Sequence, residues 1–314
     1  MKKLTHLKPI FHLKLPLWRG LGGDNLPNRV KCLIGIVIIG LFNSCYPTEE
    51  LNVPEQENEE LIINELDEYI DENFTQQYGM AVRYKFVDSY LSVGQRTTPP
   101  RLDAVRPMLD FIQEFWIDPY LEVENGEEFF QGHVPAEVIL LGGLIYQGST
   151  VLLGVADAGA RISLLDVNSV DPDDQEWILF QLGTIYHEFA HVVHQRYKLP
   201  TGYETISPTG YTSAGSWFVL NDDDALERGF VSPYGTSSPN EDYAELVSSY
   251  LFDPDFEANY TIDEEDCQDV NCENRNIGRE LIREKLAAIA DHYENVTGIN
   301  LEALRTRTQS KITN

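Results

Sequence analysis

The 314-residue sequence predicts an α+β fold, with a small mixed sheet packed on one long helix and a mainly helical C-terminal part. Three short apolar runs, bounded by glycine or polar residues, indicate strands at 138–141, 151–155 and 161–165. Beyond residue 171 the apolar residues recur at helical spacing, which predicts helices near 172–198, 239–252 and 275–297 and a short last helix. With 42% hydrophobic residues and no repeats, the sequence indicates one globular domain over 60–314.

The segments before the sheet have patterns of their own. The spacing of apolar residues predicts a helix over 61–70 and a second helix over 101–120. Between these helices, alternation over 80–90 indicates a strand. Residues 45–59 are rich in Pro, Glu and Asn without periodicity, and we interpret them as a flexible tether.

Residues 1–44 are interpreted as a leader. Basic residues precede the apolar run 33–42, which has the length of a signal-peptide core and falls short of the ~20 residues that span a bilayer. The signal peptide is placed at about 28–44, and the segment upstream of it indicates a misassigned start. Cys45 follows a small residue and resembles the lipidated cysteine of a bacterial lipobox. These features predict an exported lipoprotein that is anchored to a membrane through acyl chains.

The net charge of −28 restricts the partners of the protein. Such an acidic surface repels phosphate backbones and anionic lipids, so we predict no binding to nucleic acid and an attachment to membrane through acyl chains only. Acidity that merely keeps a secreted protein soluble is the alternative interpretation. In an oxidising compartment Cys267 and Cys272 are expected to form a disulfide.

The helix predicted over 172–198 carries a metal-binding motif. Asp171 before Pro172 predicts its N-terminus. An apolar stripe that includes Phe189 predicts a core-facing side, and the histidines at 187, 191 and 194 fall on the opposite side. Histidines with only structural roles are the alternative interpretation.

The spacing of His187 and His191 suits a zinc ion. Four residues of helix give about 6 Å of rise and about 40° of rotation, so both rings project side by side and can bind one metal. Glu188 lies to one side, where it can act as the base on the water that the metal activates. His194 lies about 10.5 Å of rise beyond His187, so it is predicted to support a ligand or face the substrate.

A catalytic zinc usually has a third protein ligand, which the segment 238–245 can supply. Glu241 and Glu245 are four residues apart on one helix face, so one can bind zinc while the other orients a ligand histidine. Alternatively, Ser238 and Glu241 form a capping box, with the carboxylate of Glu241 turned back on the amide of Ser238.

With these motifs the sequence resembles two related groups. One is the peptidase domain of the anthrax lethal factor type, and the other comprises zinc metallopeptidase lipoproteins found beside outer-membrane nutrient importers. The resemblance implies a zincin-like fold with one zinc ion (Zn2+) per chain. It further implies that Glu241 is the zinc ligand, that Glu245 is a carboxylate orienting a ligand histidine and that Tyr234 is an oxyanion donor. The implied location is the outer membrane, at the cell surface or on the periplasmic face. Import proteins and peptide or glycoprotein nutrients are the implied partners.

The sequence therefore predicts a zinc metallopeptidase that acts on peptides or proteins. A non-catalytic lipoprotein that binds zinc or peptide for an import complex is the closest alternative. The joint presence of Glu188 and Tyr234 favours catalysis, because binding alone requires neither residue. A glycan-binding lipoprotein would expose aromatic platforms, but Tyr203, Tyr211 and Trp217 are more typical of the walls of a cleft.

Overall fold

The structure is a computed structural model that describes residues 64–313, apart from residues 149, 153–154, 158–160, 213–214 and 269. The predicted leader over 1–44, the lipidation site Cys45 and the tether over 45–59 lie outside the described residues. The described residues belong to the unit Ile62–Asn314. Within this described part, no helix combines the length and the apolar character needed to cross a bilayer.

Two helical segments form the N-terminal part of the unit. The first comprises α1 (Glu65–Ile70), a π-helical turn over Asp71–Thr75 and α2 (Gln76–Tyr78). The second comprises α3 (Leu102–Ile112), a π-helical turn over Gln113–Ile117 and α4 (Asp118–Leu121). Helix α5 (Gly126–His133) follows the second segment. The helix predicted over 101–120 is thus confirmed, and the helix predicted over 61–70 is described from its N-cap Asn64 onward.

Within the part of the chain that the structure describes, seven short strands form two sheets. In chain order they are β1 (Ala81–Arg83), β2 (Gln95–Arg96), β3 (Glu137–Leu140), β4 (Ile145–Gln147), β5 (Thr150–Leu152), β6 (Val155–Asp157) and β7 (Arg161–Leu164). The first sheet is mixed and has the order β1-β3-β7-β6, with β1, β3 and β7 parallel and β6 antiparallel at the edge. The second sheet is antiparallel and has the order β2-β4-β5. The small mixed sheet that the sequence predicts is therefore present.

The strand predicted over 80–90 is wrong beyond Arg83. Strand β1 pairs with β3 over only three residues, and Asp88–Tyr90 forms a 3-10 turn. The apolar run predicted as one strand over 151–155 is divided between the end of β5 and the start of β6. Alternation of apolar residues indicates which side chains can be buried, but a strand also needs a partner along its whole length.

The central helix α6 (Gln175–Tyr197) begins three residues later than its capping signal predicted. Asp174 is the N-cap, and its carboxylate accepts hydrogen bonds from the amides of Glu176 and Trp177 at 3.0 and 3.3 Å. Asp171 instead accepts a hydrogen bond from the amide of Asp173 in the preceding turn. Both aspartates suit an N-cap, and the tertiary position of the chain selects the second one.

Among the described residues after α6, five further α-helices follow: α7 (Asp222–Glu227), α8 (Pro239–Phe252), α9 (Phe256–Tyr260), α10 (Val270–Thr297) and α11 (Leu301–Ile312). The helix predicted at 239–252 is confirmed at both ends, and the one predicted at 275–297 begins five residues earlier. Helix α8 lies along α6, which also packs on β7. These contacts position the histidine motif between the sheet and the C-terminal helices.

The apolar side of α6 faces an aromatic core. The ring of Phe189 makes edge contacts with Trp116 and Tyr120, with ring centroids 5.5 and 5.3 Å apart. Gln181 donates a side-chain hydrogen bond of 2.7 Å to the carbonyl of Leu165, just after β7. The core and this bond fix the rotation of α6, so that its histidine side turns toward α8.

Candidate metal centre

His187 and His191 lie side by side on the face of α6 that α8 covers. Their Nε2 atoms are 3.1 Å apart, and each side chain is 13% exposed. This convergence follows from their spacing of four residues on a helix. The prediction that both rings point to one position therefore agrees with the geometry.

Glu241 brings a carboxylate from the first turn of α8 to the same point. Its Oε2 atom is 3.2 Å from Nε2 of His187 and 3.2 Å from Nε2 of His191. Ser238 caps α8 by accepting a hydrogen bond from the amide of Glu241. Only this half of the predicted capping box forms, because the carboxylate of Glu241 faces the histidines.

The three ligand atoms fit a tetrahedral zinc ion. Ligands that lie about 2.0–2.1 Å from a tetrahedral metal are separated from one another by roughly 3.3 Å. The triangle formed by the two Nε2 atoms and Oε2 has sides of 3.1, 3.2 and 3.2 Å. Among the residues that the structure describes, His187, His191 and Glu241 are the one group of three or more His, Cys, Asp or Glu side chains that lie close enough to share a metal ion.

The charges of the cluster are strongly coupled. Burial lowers the pKa of His187, but the nearby carboxylates of Glu241 and Glu245 outweigh burial and raise this pKa to about 10. Burial raises the pKa of Glu241, but its contacts with His187 and His191 outweigh it and hold this pKa far below the usual range. Positive charge is therefore favoured at this position, as a cation-binding site requires.

Each histidine has a partner on its other ring nitrogen. Oε1 of Glu245 lies 2.8 Å from Nδ1 of His187, an ion-pair distance at which the atoms are not aligned for a good hydrogen bond. Ser232 donates a 2.5 Å hydrogen bond to Oε2 of Glu245. On the second histidine, Nδ1 of His191 is 2.7 Å from Nε2 of His194. Such partners select the ring tautomer that leaves Nε2 free to bind a metal.

His194 supports His191 and is buried, so it does not face a substrate. Burial, followed by the nearby charge of His191, lowers the pKa of His194 to about 4. A neutral ring can accept the hydrogen bond from Nδ1 of His191. Of the two roles predicted for His194, the geometry agrees with the supporting one.

Glu188 directly follows His187 on α6 and is 9% exposed. Its Oε2 atom is buried and has no hydrogen-bond partner among the protein atoms described. Burial raises its pKa, while the neighbouring His187 and His191 oppose the rise. A carboxylate oxygen that is buried without a protein partner is free to bond a water or a substrate atom.

Tyr234 reaches the cluster from the 3-10 turn Tyr234–Ser237, which precedes α8. Its ring centroid is 6.0 Å from that of His187, and the residue is 38% exposed. Burial and then the charge of Glu241 raise the pKa of Tyr234 to about 12. The phenol therefore keeps its proton at neutral pH and remains a hydrogen-bond donor at the edge of the site.

Several other predictions have clear outcomes. Tyr203 is fully buried, and the hydroxyl of Tyr211 donates a hydrogen bond to Asp242, so neither forms an exposed platform. Trp217 alone of the three lies next to Tyr234, with ring centroids 5.1 Å apart.

Cys267 and Cys272 are joined by a disulfide.

Two contributions were missed from the sequence. Ser232 holds Glu245, and the signal was a serine just before the Pro-Tyr-Gly turn, where its hydroxyl also accepts the amide hydrogen of Gly235. Lys285 forms a fully buried ion pair with Asp242, at 2.8 Å. No local sequence pattern predicts this ion pair, because Lys285 and Asp242 belong to different helices.

The cluster of His187, His191 and Glu241 is compatible with a zincin-like site. A family model described as "Putative zinc-binding metallo-peptidase" matches residues 59–302. Since this match covers most of the 314 residues, the chain belongs to that family.

One similar solved structure shows the same fold. It is the crystal structure of a "putative zinc-binding metallo-peptidase from Bacteroides caccae ATCC 43185", with a TM-score of 0.63 and 23% identity. The match covers 78% of this chain and 90% of that chain. A search of curated protein sequences gives no match.

Proposed function

We propose that the protein is a zinc peptidase in which His187, His191 and Glu241 hold one zinc ion per chain. The observation that carries this proposal is the triangle of ligand atoms, with sides of 3.1–3.2 Å, together with the buried carboxylate of Glu188. Membership of a zinc metallopeptidase family supports the metal and the reaction class. The site residues themselves are our assignment.

Glu188 is the general base and acid of the proposed reaction. A bound zinc ion lowers the pKa of water and polarises the scissile carbonyl. Glu188 accepts a proton from the attacking water and then donates this proton to the leaving amine. Its burial favours the protonated form, which suits the second step.

Tyr234 donates a hydrogen bond to the substrate in this proposal. Its raised pKa keeps the phenol protonated, and the residue is partly exposed at the edge of the site, within reach of a bound peptide. The developing negative charge on the carbonyl oxygen is where such a donor contributes most. Glu245 and His194 act through the two ligand histidines, whose rings they orient.

We further propose that the protein is exported and anchored to the outer membrane through a lipid on Cys45. The support is the sequence alone: the apolar run 33–42, the small residue before Cys45 and the acidic remainder of the chain. Peptides or glycoproteins taken up by neighbouring import proteins are the proposed source of substrates. Metabolic labelling with a radioactive or clickable fatty acid tests the anchor, because Cys45→Ser must abolish the label.

Zinc content and proteolysis, measured on one purified sample, test the proposed activity. We expect one zinc per chain and cleavage of a diverse peptide library. Protein without stoichiometric zinc would contradict the whole proposal. Full zinc with no cleavage of any peptide would favour the non-catalytic accessory role, and the library would define the cleavage preference if the protein is active.

A further inference from the structure

An apolar surface adjoins the metal centre. It consists of the 3-10 turn Trp217–Val219 together with the ring of Tyr234. Phe218 is 67% exposed and Val219 is 72% exposed, although both side chains are large and apolar. Among the described residues, no other two consecutive large apolar side chains are as exposed as this pair. We call this surface the aromatic shelf.

The aromatic shelf is continuous with the ligand triangle. The ring of Trp217 contacts the ring of Phe218, with centroids 6.3 Å apart, and the ring of Tyr234 on its other side, at 5.1 Å. Tyr234 in turn lies 6.0 Å from the ring of His187. The steps from His187 to Trp217 correspond to roughly three residues of extended peptide, at about 3.3 Å per residue. A peptide whose amide bond lies at the metal centre and which extends toward Tyr234 therefore reaches the shelf within about three residues.

The chemistry of the shelf identifies what it binds. Aromatic rings and a branched aliphatic side chain gain free energy when apolar groups displace the water on them. An exposed apolar surface beside a binding site is typical of a recognition surface, whereas isolated exposed apolar residues need no explanation. Phe218 and Val219 have no role in the core, because most of their surface lies outside it.

We propose that the aromatic shelf is a substrate subsite for one large apolar side chain, aromatic or aliphatic, close to the scissile amide. This inference rests on the proposed peptidase function and adds the class of side chain that the protein selects. Trp217 and Phe218 form the contact surface, and Val219 extends it. Charged and small side chains at this substrate position leave the shelf in water and are disfavoured.

The test uses the zinc-loaded protein and a matched series of peptides. In each peptide one position within three residues of the cleaved bond carries Phe, Leu, Ala or Asp, and every position is scanned in turn. We expect one position at which Phe and Leu increase kcat/KM about tenfold or more over Ala, as a hydrophobic pocket does for added methylenes. Equal rates for all four side chains at every position would overturn the inference and leave the peptidase assignment intact.

Variants of the shelf connect the preference to these residues. The double variant Phe218→Ala/Val219→Ala is expected to lose most of the preference for Phe over Ala, measured as the ratio of kcat/KM for the two peptides. Ile277→Ala on α10 is the matched control, because Ile277 is also a large apolar residue and is 56% exposed. An unchanged preference in the double variant would show that another surface selects the side chain.

Binding separates failure of the subsite from failure of the proposed activity. The Glu188→Gln protein, loaded with zinc, is titrated with the fluorescently labelled Phe and Ala peptides. Tighter binding of the Phe peptide that disappears in Glu188→Gln/Phe218→Ala/Val219→Ala supports the subsite even if the wild-type protein cleaves nothing. Equal binding of both peptides would overturn the subsite whether or not cleavage occurs.

Discussion

Two consecutive carboxylates at the start of α8 have opposite surroundings. Glu241 faces the ring nitrogens of His187 and His191, and its side chain is 21% exposed. Asp242 is 1% exposed, and its Oδ2 atom contacts Nζ of Lys285 at 2.8 Å. Because successive residues of a helix point about 100° apart, one turn of α8 supplies both the proposed metal ligand Glu241 and a member of a buried ion pair.

The ion pair is satisfied by protein atoms alone. The ammonium of Lys285 also donates a hydrogen bond of 2.8 Å to the carbonyl of Gly229, and it lies 3.6 Å from the ring centroid of Phe230. Tyr211 donates a 2.7 Å hydrogen bond to Oδ2 of Asp242. Burial raises the pKa of Asp242 and lowers that of Lys285, while their mutual attraction opposes both shifts.

Glu241 and Asp242 therefore have different expected roles, metal binding for Glu241 and helix packing for Asp242. At Glu241, partial exposure and converging ligand atoms leave space for a cation and a substrate. At Asp242, the enclosed Lys285 fixes the rotation of α8 against α10, and thereby the direction in which Glu241 points. The metal centre is then expected to control activity and the ion pair to control stability.

Glu241→Ala should produce the largest change in activity. Two histidines alone hold zinc weakly, so we expect zinc content and cleavage both to fall to background. Zinc per chain by atomic spectroscopy and cleavage of a fluorogenic peptide measure the two effects. Glu280→Ala, which removes an exposed glutamate on α10, is the control and should retain both properties. Full zinc in Glu241→Ala together with loss in Glu245→Ala would reverse the two assignments.

Glu188→Gln should retain zinc and lose activity. Removal of a general base costs about 10²- to 10⁴-fold in rate, and the amide of glutamine cannot accept the proton of water. Single-turnover cleavage and zinc content, determined on the same preparation, measure the effect. A rate within tenfold of the wild type would exclude Glu188 as the base.

Asp242→Ala should destabilise the protein and act on the zinc site only indirectly. The free energy of unfolding is expected to fall by about 3–5 kcal/mol, because the buried ammonium of Lys285 loses its partner. Urea unfolding of the metal-free protein measures this change. The exposed pair Arg106–Asp110 provides the control, because Asp110→Ala should cost only about 0–1 kcal/mol. A similar cost for both variants would contradict the proposed anchor.

Glu245→Gln and His194→Ala should each weaken zinc binding about 10- to 100-fold. We expect the larger loss in Glu245→Gln, since Glu245 places a negative charge beside His187, whereas the pKa of His194 leaves its ring neutral at neutral pH. Competition with a chelator of known affinity measures both constants. Unchanged affinity in both variants would mean that the ring orientations of His187 and His191 do not depend on these partners.

The smallest effect is expected from the disulfide. Cys267 and Cys272 are five residues apart and lie outside the segments that supply the ligands. The double variant Cys267→Ser/Cys272→Ser should therefore keep its zinc and its cleavage rate, and it avoids thiol reductants, which bind zinc themselves. A marked loss of activity would indicate that this loop supports the metal centre.

The parts of the site that sequence reasoning identified are local. His187, Glu188 and His191 share one helix, so their spacing alone predicts that the two rings converge. The relation of Glu241 to Glu245 is different, because both lie on one face of α8 and either can reach a metal. The packing of α8 on α6 decides which glutamate contacts which ring nitrogen. Glu241 lies beside Nε2 of both histidines, and Glu245 lies beside Nδ1 of His187.

Errors in the predicted elements have the same origin. Asp171 and Asp174 are both good N-caps, and only the position of the preceding turn decides between them. The strand predicted over 80–90 ends at Arg83 because β3 pairs with only three of its residues. In both cases the local sequence predicts the correct type of element, and contacts with another part of the chain determine where that element begins or ends.

By itself the sequence determined the α+β class, the long motif helix and the pair of histidines that suits zinc, since each depends on residues within about one or two helical turns. Only the tertiary structure decided that Glu241 completes the triangle, that Asp242 turns to Lys285, and that Trp217 and Phe218 lie beside Tyr234. These contacts join segments separated by tens of residues, and their free energy comes from the packing of whole helices, which no local pattern encodes.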